Sequence, residues 1–345
     1  MQILPPEQSA ARAGLVYVTD AQPGISRRRQ GRGWSYRWPD GSLVDGPHRD
    51  RAEALVIPPA YRDVWICTLD NGHLQATGRD AKGRKQYRYH PDWIAARQET
   101  KFNRLIPFGE ALPGLRARVD DDLGRAGLPR DKVLALAVRL LDETLIRIGN
   151  PDYAQANGSY GLTTLRDRHA SFDGTGVRFE FVGKSGKRHA VALEDRRLAR
   201  LVKACRDVPG YDLFQYIEPD GDHHAIDSGM VNAYLKETTG EPITAKYFRT
   251  WGGTVLAAKA LRARGPADDE ADAKQHKVDT VREVAAALGN TKAVCRKYYV
   301  HPGLFTAYDS GALLDHLKRR HPGNTPRGLE PTEAAVLRLL KERAA

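Results

Sequence analysis

Residues 177–193 read Val-Arg-Phe-Glu-Phe-Val-Gly-Lys-Ser-Gly-Lys-Arg-His-Ala-Val-Ala-Leu. Apolar and polar residues alternate from Val177 to Val182, the period of a half-buried strand. Gly183-Lys184-Ser185-Gly186-Lys187 is a turn, and His189 to Leu193 returns. The reading predicts a hairpin, and its surroundings decide the fold. Upstream, Val133, Leu134, Ala137, Leu140, Leu141, Leu145 and Ile148 recur at helical spacing, with Asp131 as a start and Gly149 as a stop. Downstream, helical patterns run over 195–205, 228–238, 244–264, 277–288, 312–319 and 332–343, the last with Pro331 near its start. Thr244 reads as the N-cap of its helix, and the acidic stretch 265–272 as an exposed loop. A small sheet therefore sits inside a mainly helical domain.

The chain before about residue 95 has another character. Leu15-Val16-Tyr17-Val18 is a short apolar run, and basic residues alternate with aromatics between Ile25 and Arg37. Val64-Trp65-Ile66-Cys67 and His73 to Thr77 flank Asp70-Asn71-Gly72, a strong hairpin-turn signal. After a turn at Asp80-Ala81-Lys82-Gly83, Lys85 to Tyr89 alternates, so Tyr87 and Tyr89 share one strand face. His90-Pro91 breaks this strand. These features predict an α+β protein: a small β-rich N-terminal domain, 1–95, and a larger mainly α domain with a small β-sheet, 96–345.

The 345 residues carry 54 Lys+Arg against 43 Asp+Glu, a net charge of +11. Such an excess suits a polyanionic partner. Three distant cysteines, Cys67, Cys205 and Cys295, predict neither a disulfide framework nor a zinc knuckle. No apolar run reaches membrane-spanning length, and Met-Gln-Ile-Leu-Pro-Pro-Glu does not read as a secretory signal. A cytoplasmic, nucleoid-associated location is expected. No HExxH, P-loop, Rossmann glycine motif or serine elbow occurs. His223-His224 reads as solvated loop, so neither metal nor cofactor is expected.

Basic residues in particular settings remain. Arg147 follows an apolar helix in Ile146-Arg147-Ile148-Gly149-Asn150, and Lys184 sits on the hairpin tip. Lys246 and Arg249 lie one turn apart in Lys246-Tyr247-Phe248-Arg249. Asn290 follows Leu288-Gly289, and Tyr299 stands in Lys297-Tyr298-Tyr299-Val300-His301-Pro302. Singly, each has an ordinary structural explanation. In this order they resemble the active site of type IB DNA topoisomerases, above all the small, poxvirus-like bacterial group. Phe181-Val182-Gly183-Lys184-Ser185-Gly186 and Tyr247 through Thr254 resemble that group too, as does Ile57-Pro58-Pro59 through His90-Pro91. The resemblance covers most of residues 45–305.

It implies the tyrosine recombinase/topoisomerase IB catalytic fold and a C-shaped clamp that closes on supercoiled duplex DNA as a monomer, without an obligatory protein partner. It implies relaxation of positive and negative supercoils by transient single-strand cleavage, swivelling and religation, without ATP or metal. Tyr299 would be the nucleophile that forms a 3′-phosphotyrosyl bond. A phenol is protonated at neutral pH and needs a positive site or a proton acceptor. Arg147 and Arg249 would hold the charge of the transition state with planar, permanently charged forks. Asn290 would add a hydrogen bond where many relatives have histidine, a departure that excludes acid–base work there. Lys184 would give the departing 5′ oxygen its proton. Gln86, Tyr87, Tyr89 and Lys246 would contact DNA. Asn150-Pro151-Asp152 stand where viral relatives carry basic residues that read a target sequence, so that preference is not carried over. A tyrosine recombinase shares the chemistry but usually has His-x-x-Arg where this chain has Lys246-x-x-Arg249. A basic architectural module would explain the charge but not the ordered set.

Overall fold

The computed structural model describes residues 4–318 and 328–344. The chain divides into two compact units, Met1–Phe102 and Asn103–Ala345. In the first, α1 (Pro6–Arg12) precedes β1 (Ile25–Gln30) and β2 (Gly33–Arg37). Then come α2 (Gly46–Ala54), β3 (Arg62–Ile66), β4 (Leu74–Arg79), β5 (Lys85–Tyr89) and α3 (Pro91–Asn103). The five strands form an antiparallel sheet in the order β2-β1-β3-β4-β5. Ile25, Tyr36, Val64, Ile66 and Ala76 pack with Val44 and Ala52 into one core. β4 is buried from Leu74 to Gly78, whereas its neighbour β5 is an exposed edge. The Lys and Arg side chains of β5 blunt that edge against strand addition.

The second unit opens with α4 (Leu105–Leu123), α5 (Arg130–Thr144) and α6 (Pro151–Asn157). β6 (Ala170–Phe172), β7 (Val177–Val182) and β8 (Arg188–Leu193) form a three-stranded antiparallel sheet. After α7 (Arg196–Arg206), β9 (Gln215–Ile217) pairs with β10 (His223–Ala225). The remaining helices are α8 (Ser228–Thr239), α9 (Lys246–Arg264), α10 (Glu270–Ala287), α11 (Lys292–Tyr298), α12 (Pro302–Asp309), α13 (Ala312–Lys318) and α14 (Pro331–Ala344). β7 alternates buried and exposed residues throughout, as its sequence predicts. α5 buries Val133–Val138, Leu140 and Leu141, nearly its whole circumference. A helix apolar all round belongs at the centre of a bundle, and α5 touches α4, α7, α8, α9, β8 and β9.

Helices and small antiparallel sheets make the protein α+β, but local expectations change. α5 stops at Thr144 rather than Gly149, because Leu145 turns left-handed (φ 54°, ψ 21°) and closes the helix on the Leu141 carbonyl. α9 starts at Lys246 with no side-chain cap, so Thr244 is not its N-cap. The acidic stretch 265–272 is not loop throughout. The Asp269 side chain accepts from the Asp272 amide and starts α10 at Glu270, where acidic residues suit the first turn. His223 and His224 lie on the exposed strand β10. Arg319, within the helix expected over 312–319, lies outside the described residues.

Candidate active site

The early end of α5 creates the site. Beyond Leu145 the chain runs without helix, and residues 147 and 148 accept from the amides of Leu162 and Thr163, both at 2.7 Å. Arg147 thus leaves a pinned segment rather than a helix end, and its guanidinium donates to the Asn290 side-chain oxygen. Asn290 is set by the end of α10: its amide donates to the Ala285 carbonyl at 2.8 Å.

Arg249 lies in the first turns of α9 and is 5% exposed. It donates to the carbonyl of Leu145 and, at 2.7 Å, to that of Leu288. It thereby joins the end of α5 to the end of α10. No carboxylate is among these partners. Burial, followed by the nearby charge of Arg147, pushes its pKa down to about 10. The Tyr299 hydroxyl, hydrogen-bonded to it, works in the opposite direction. The guanidinium carbon lies 5.1 Å from the centroid of the Tyr299 ring. Tyr299 itself closes α11, its amide donating to the Cys295 carbonyl at 2.9 Å. Two residues on, the His301 amide donates to the Thr254 hydroxyl at 3.1 Å and ties this segment to α9.

Arg147, Arg249, Asn290 and Tyr299 therefore meet at the ends of α5, α9, α10 and α11. Arg249 Nε and Asn290 Nδ2 are buried with no hydrogen-bond partner among the described residues. Buried donors ordinarily find partners, so this cluster is short of acceptors. Lys184 is brought to the same unit but not into that network. It sits exposed on the tip between β7 and β8, and among the described residues forms no hydrogen bond or ion pair with the other four. Lys246, at the start of α9, is exposed.

Sequence reasoning missed His189 on β8. Its ring stacks on Phe181 at 5.1 Å, and its pKa is lowered by burial, then by the charges of Arg147, Arg249 and Lys187. The signal was present: His189 occupies the inward register of a strand whose other inward residues, Val191 and Leu193, are apolar. The carbonyls of Leu145 and Leu288 left no signal, because backbone acceptors are independent of side-chain type.

In the first unit, Tyr87 and Tyr89 stand on the same face of β5 with rings 5.9 Å apart and 7° from parallel. The Lys85 ammonium lies 5.7 Å from the Tyr87 ring. Both tyrosines are exposed, whereas half-buried Gln86 donates to Asp80 at 3.0 Å.

Residues 85–316 match the family model described as eukaryotic DNA topoisomerase I, catalytic core, and residues 33–80 match that of the bacterial DNA topoisomerase IB N-terminal domain. The chain is 31% identical over 315 residues to DNA topoisomerase 1B of Acanthamoeba polyphaga mimivirus, across 86% of this chain and 94% of that protein. It is 28% identical over 153 residues to DNA topoisomerase I of monkeypox virus, 42% of this chain and 48% of the relative. DNA topoisomerase 1 of rabbit fibroma virus is 23% identical over 230 residues, 65% of this chain and 68% of its own.

Proposed function

The chain belongs to the type IB DNA topoisomerases, and we propose that it relaxes positive and negative supercoils through a 3′-phosphotyrosyl intermediate, with the side chains described above performing the chemistry. The observation that carries this reading is the acceptor-poor cluster: Arg249 Nε and Asn290 Nδ2, buried donors without partners among the described residues, beside a tyrosine hydroxyl that Arg249 already touches. A backbone phosphate supplies the missing acceptors.

In this reading the Tyr299 hydroxyl gives its proton to solvent, its oxygen attacks phosphorus and the bond to the 5′ oxygen breaks. Negative charge grows on the non-bridging oxygens, where Arg147, Arg249 and the Asn290 amide donate. A preorganised donor of this kind is worth ~10²–10³ in rate. The arginines need no reorganisation, because the Leu145 and Leu288 carbonyls already fix Arg249 and Asn290 already holds Arg147. The Arg249 guanidinium also sets a positive charge beside the Tyr299 hydroxyl. Lys184, on its exposed tip, gives the 5′ oxygen its proton. Religation reverses each step, and the phosphotyrosyl bond keeps the energy of the broken linkage, so no ATP is consumed. The two units act as the lobes of a C-shaped clamp on duplex DNA. Tyr87, Tyr89, Gln86 and Lys246 contact the duplex, the exposed tyrosines by stacking or edge contacts and Lys246 by its charge.

The test is relaxation of negatively and positively supercoiled plasmid in EDTA without ATP, for the natural chain and for Tyr299→Phe. The natural chain relaxes both, the variant neither, and detergent traps the natural chain on the 3′ side of a nick. Binding without any change of linking number overturns the proposal.

A further inference from the structure

The chemistry assigned above leaves His189 unused, yet its ring packs against two glycines beside that site. A Cβ built on Gly183 would lie 2.7 Å from its Cδ2, and one built on Gly289 would lie 2.3 Å from its Cε1. Only glycine fits against the ring on either side. Gly183 immediately precedes Lys184, and Gly289 immediately precedes Asn290. One imidazole is thus wedged between the residues that lead into two of the proposed catalytic groups.

The two sides are not equally anchored. The Gly289 side is fixed by Arg249 on the Leu288 carbonyl, by the Asn290 amide on Ala285 and by Arg147 on the Asn290 side chain. The base of the hairpin tip is tied from outside by the Tyr160 amide on the Val182 carbonyl at 2.8 Å, but beyond Val182 the tip is held by its own short bonds, Gly183 to the Lys187 carbonyl at 2.7 Å and Gly186 to the Gly183 carbonyl at 3.1 Å. What the ring positions is therefore the hairpin, against a loop that is already set. We propose that His189 is a positioning residue: by seating the β7–β8 hairpin on the Gly289 turn it places Lys184 to protonate the leaving 5′ oxygen. This rests on the reading of Lys184 as the acid. The ring suits the task because it is rigid, flat enough to lie between two backbones and stacked on Phe181 at 12°. It faces Arg147, Arg249 and Lys187, and as a neutral ring it adds no fourth cation to them.

The experiment measures single-turnover cleavage of a duplex at one mapped site, with either an ordinary phosphodiester or a 5′-bridging sulfur at that linkage. A thiolate, whose conjugate acid has a pKa of about 8.5, departs without a proton. His189→Ala is expected to cleave the ordinary linkage ~10²-fold slower, the loss that a misplacement of about 1 Å brings, with DNA binding unchanged. The sulfur-bridged duplex restores the rate. In a Lys184→Ala background His189→Ala has no further effect. Gly183→Ala, whose methyl would displace the ring, gives the same substrate-dependent loss and guards against a misfolded His189→Ala. If Lys184→Ala itself is not rescued by sulfur, the acid assignment fails. If Lys184→Ala is rescued but His189→Ala slows both substrates equally, or slows neither, the positioning role is overturned.

Discussion

Two arginines of the second unit are drawn largely out of water and treated in opposite ways. Arg116 on α4 faces two carboxylates: it pairs with Glu333 of α14 at 2.7 and 2.9 Å, and with Asp142 of α5 at 2.7 and 3.1 Å. Although burial alone would lower its pKa, these partners raise it. Glu333 also accepts from the Trp251 indole at 3.0 Å, so the cluster joins α4, α5, α9 and α14. Arg249, two residues from Trp251, has backbone carbonyls, a tyrosine and a second arginine, and its pKa falls. The satisfied arginine holds the fold. The other is short of negative charge, and the fold holds it in that condition. Charge pairing, rather than burial, separates Arg116 from Arg249, the arginine we propose acts on the phosphate.

Substituting each arginine by methionine tests that contrast most strongly. Arg116→Met strands Glu333 and Asp142 in the interior, and breaking a buried pair costs ~3–5 kcal/mol. Its unfolding free energy from denaturant titration should fall by that amount, while cleavage by the folded fraction changes little. Arg249→Met removes a charge that pairs with no carboxylate among the described residues and leaves only the Leu145 and Leu288 carbonyls without their donor, so stability should fall less than in Arg116→Met, while single-turnover cleavage drops by ~10²–10³. A large loss of stability in Arg249→Met with normal cleavage would reverse the two roles.

Acid distinguishes the clusters as well. His301, half-buried two residues beyond Tyr299, has its pKa pushed down to about 4 by burial and then by Arg343. The unfolded chain takes up this proton near pH 6.5, whereas the folded chain holds it off until about 4. Stability is therefore full above about 6.5 and declines by up to ~3 kcal/mol as pH falls to about 4. Glu333 follows: its arginine and indole partners, opposing burial, hold its pKa below the usual value. Its contribution is present above the ordinary glutamate pKa and disappears as pH falls through the lower, folded one. Denaturant midpoints from pH 7.5 to 3.5 should show both windows. His301→Asn keeps a side chain able to accept from the Gly303 amide and should flatten the upper window. Glu333→Gln should flatten the lower. Among the described residues Arg249 pairs with no carboxylate, and it contributes to neither window.

The sequence makes the hairpin over 177–193 and the helical face of 133–141 readable, because in both the apolar period is set by local geometry. Motif resemblance also supplies the proposed catalytic set, of which the structure brings Arg147, Arg249, Asn290 and Tyr299 together. What the sequence hides depends on backbone direction. The apolar period continues through Leu145 and Ile148, yet Leu145 turns left-handed and frees the segment that carries Arg147. The same turn exposes the carbonyl that Arg249 uses. Nor does the sequence indicate that Glu333, distant in the chain, closes on Arg116 and Trp251. Such long-range pairings leave no periodic trace. His189 falls between the two cases, a polar residue at an inward register whose neighbours are known only from the fold.

The smallest change that should convert one kind of cluster into the other is Asn290→Asp. One carboxylate oxygen can keep the bond from Arg147 that the amide oxygen now accepts. The other replaces Nδ2, a buried donor without a partner among the described residues. The arginines would then have a resident counter-ion, as Arg116 has. Stability is expected to rise by ~1.5 kcal/mol, the lower end of the range for a hydrogen bond to a charged group. Cleavage is expected to fall by ~10², since a donor to the phosphate becomes a negative charge facing it. Denaturant midpoints and single-turnover cleavage on one preparation read both effects. Faster or unchanged cleavage would show that Asn290 does not donate to the phosphate. A drop in stability would show that the pair of arginines was never short of negative charge, and the distinction between the two clusters would have to rest on geometry alone.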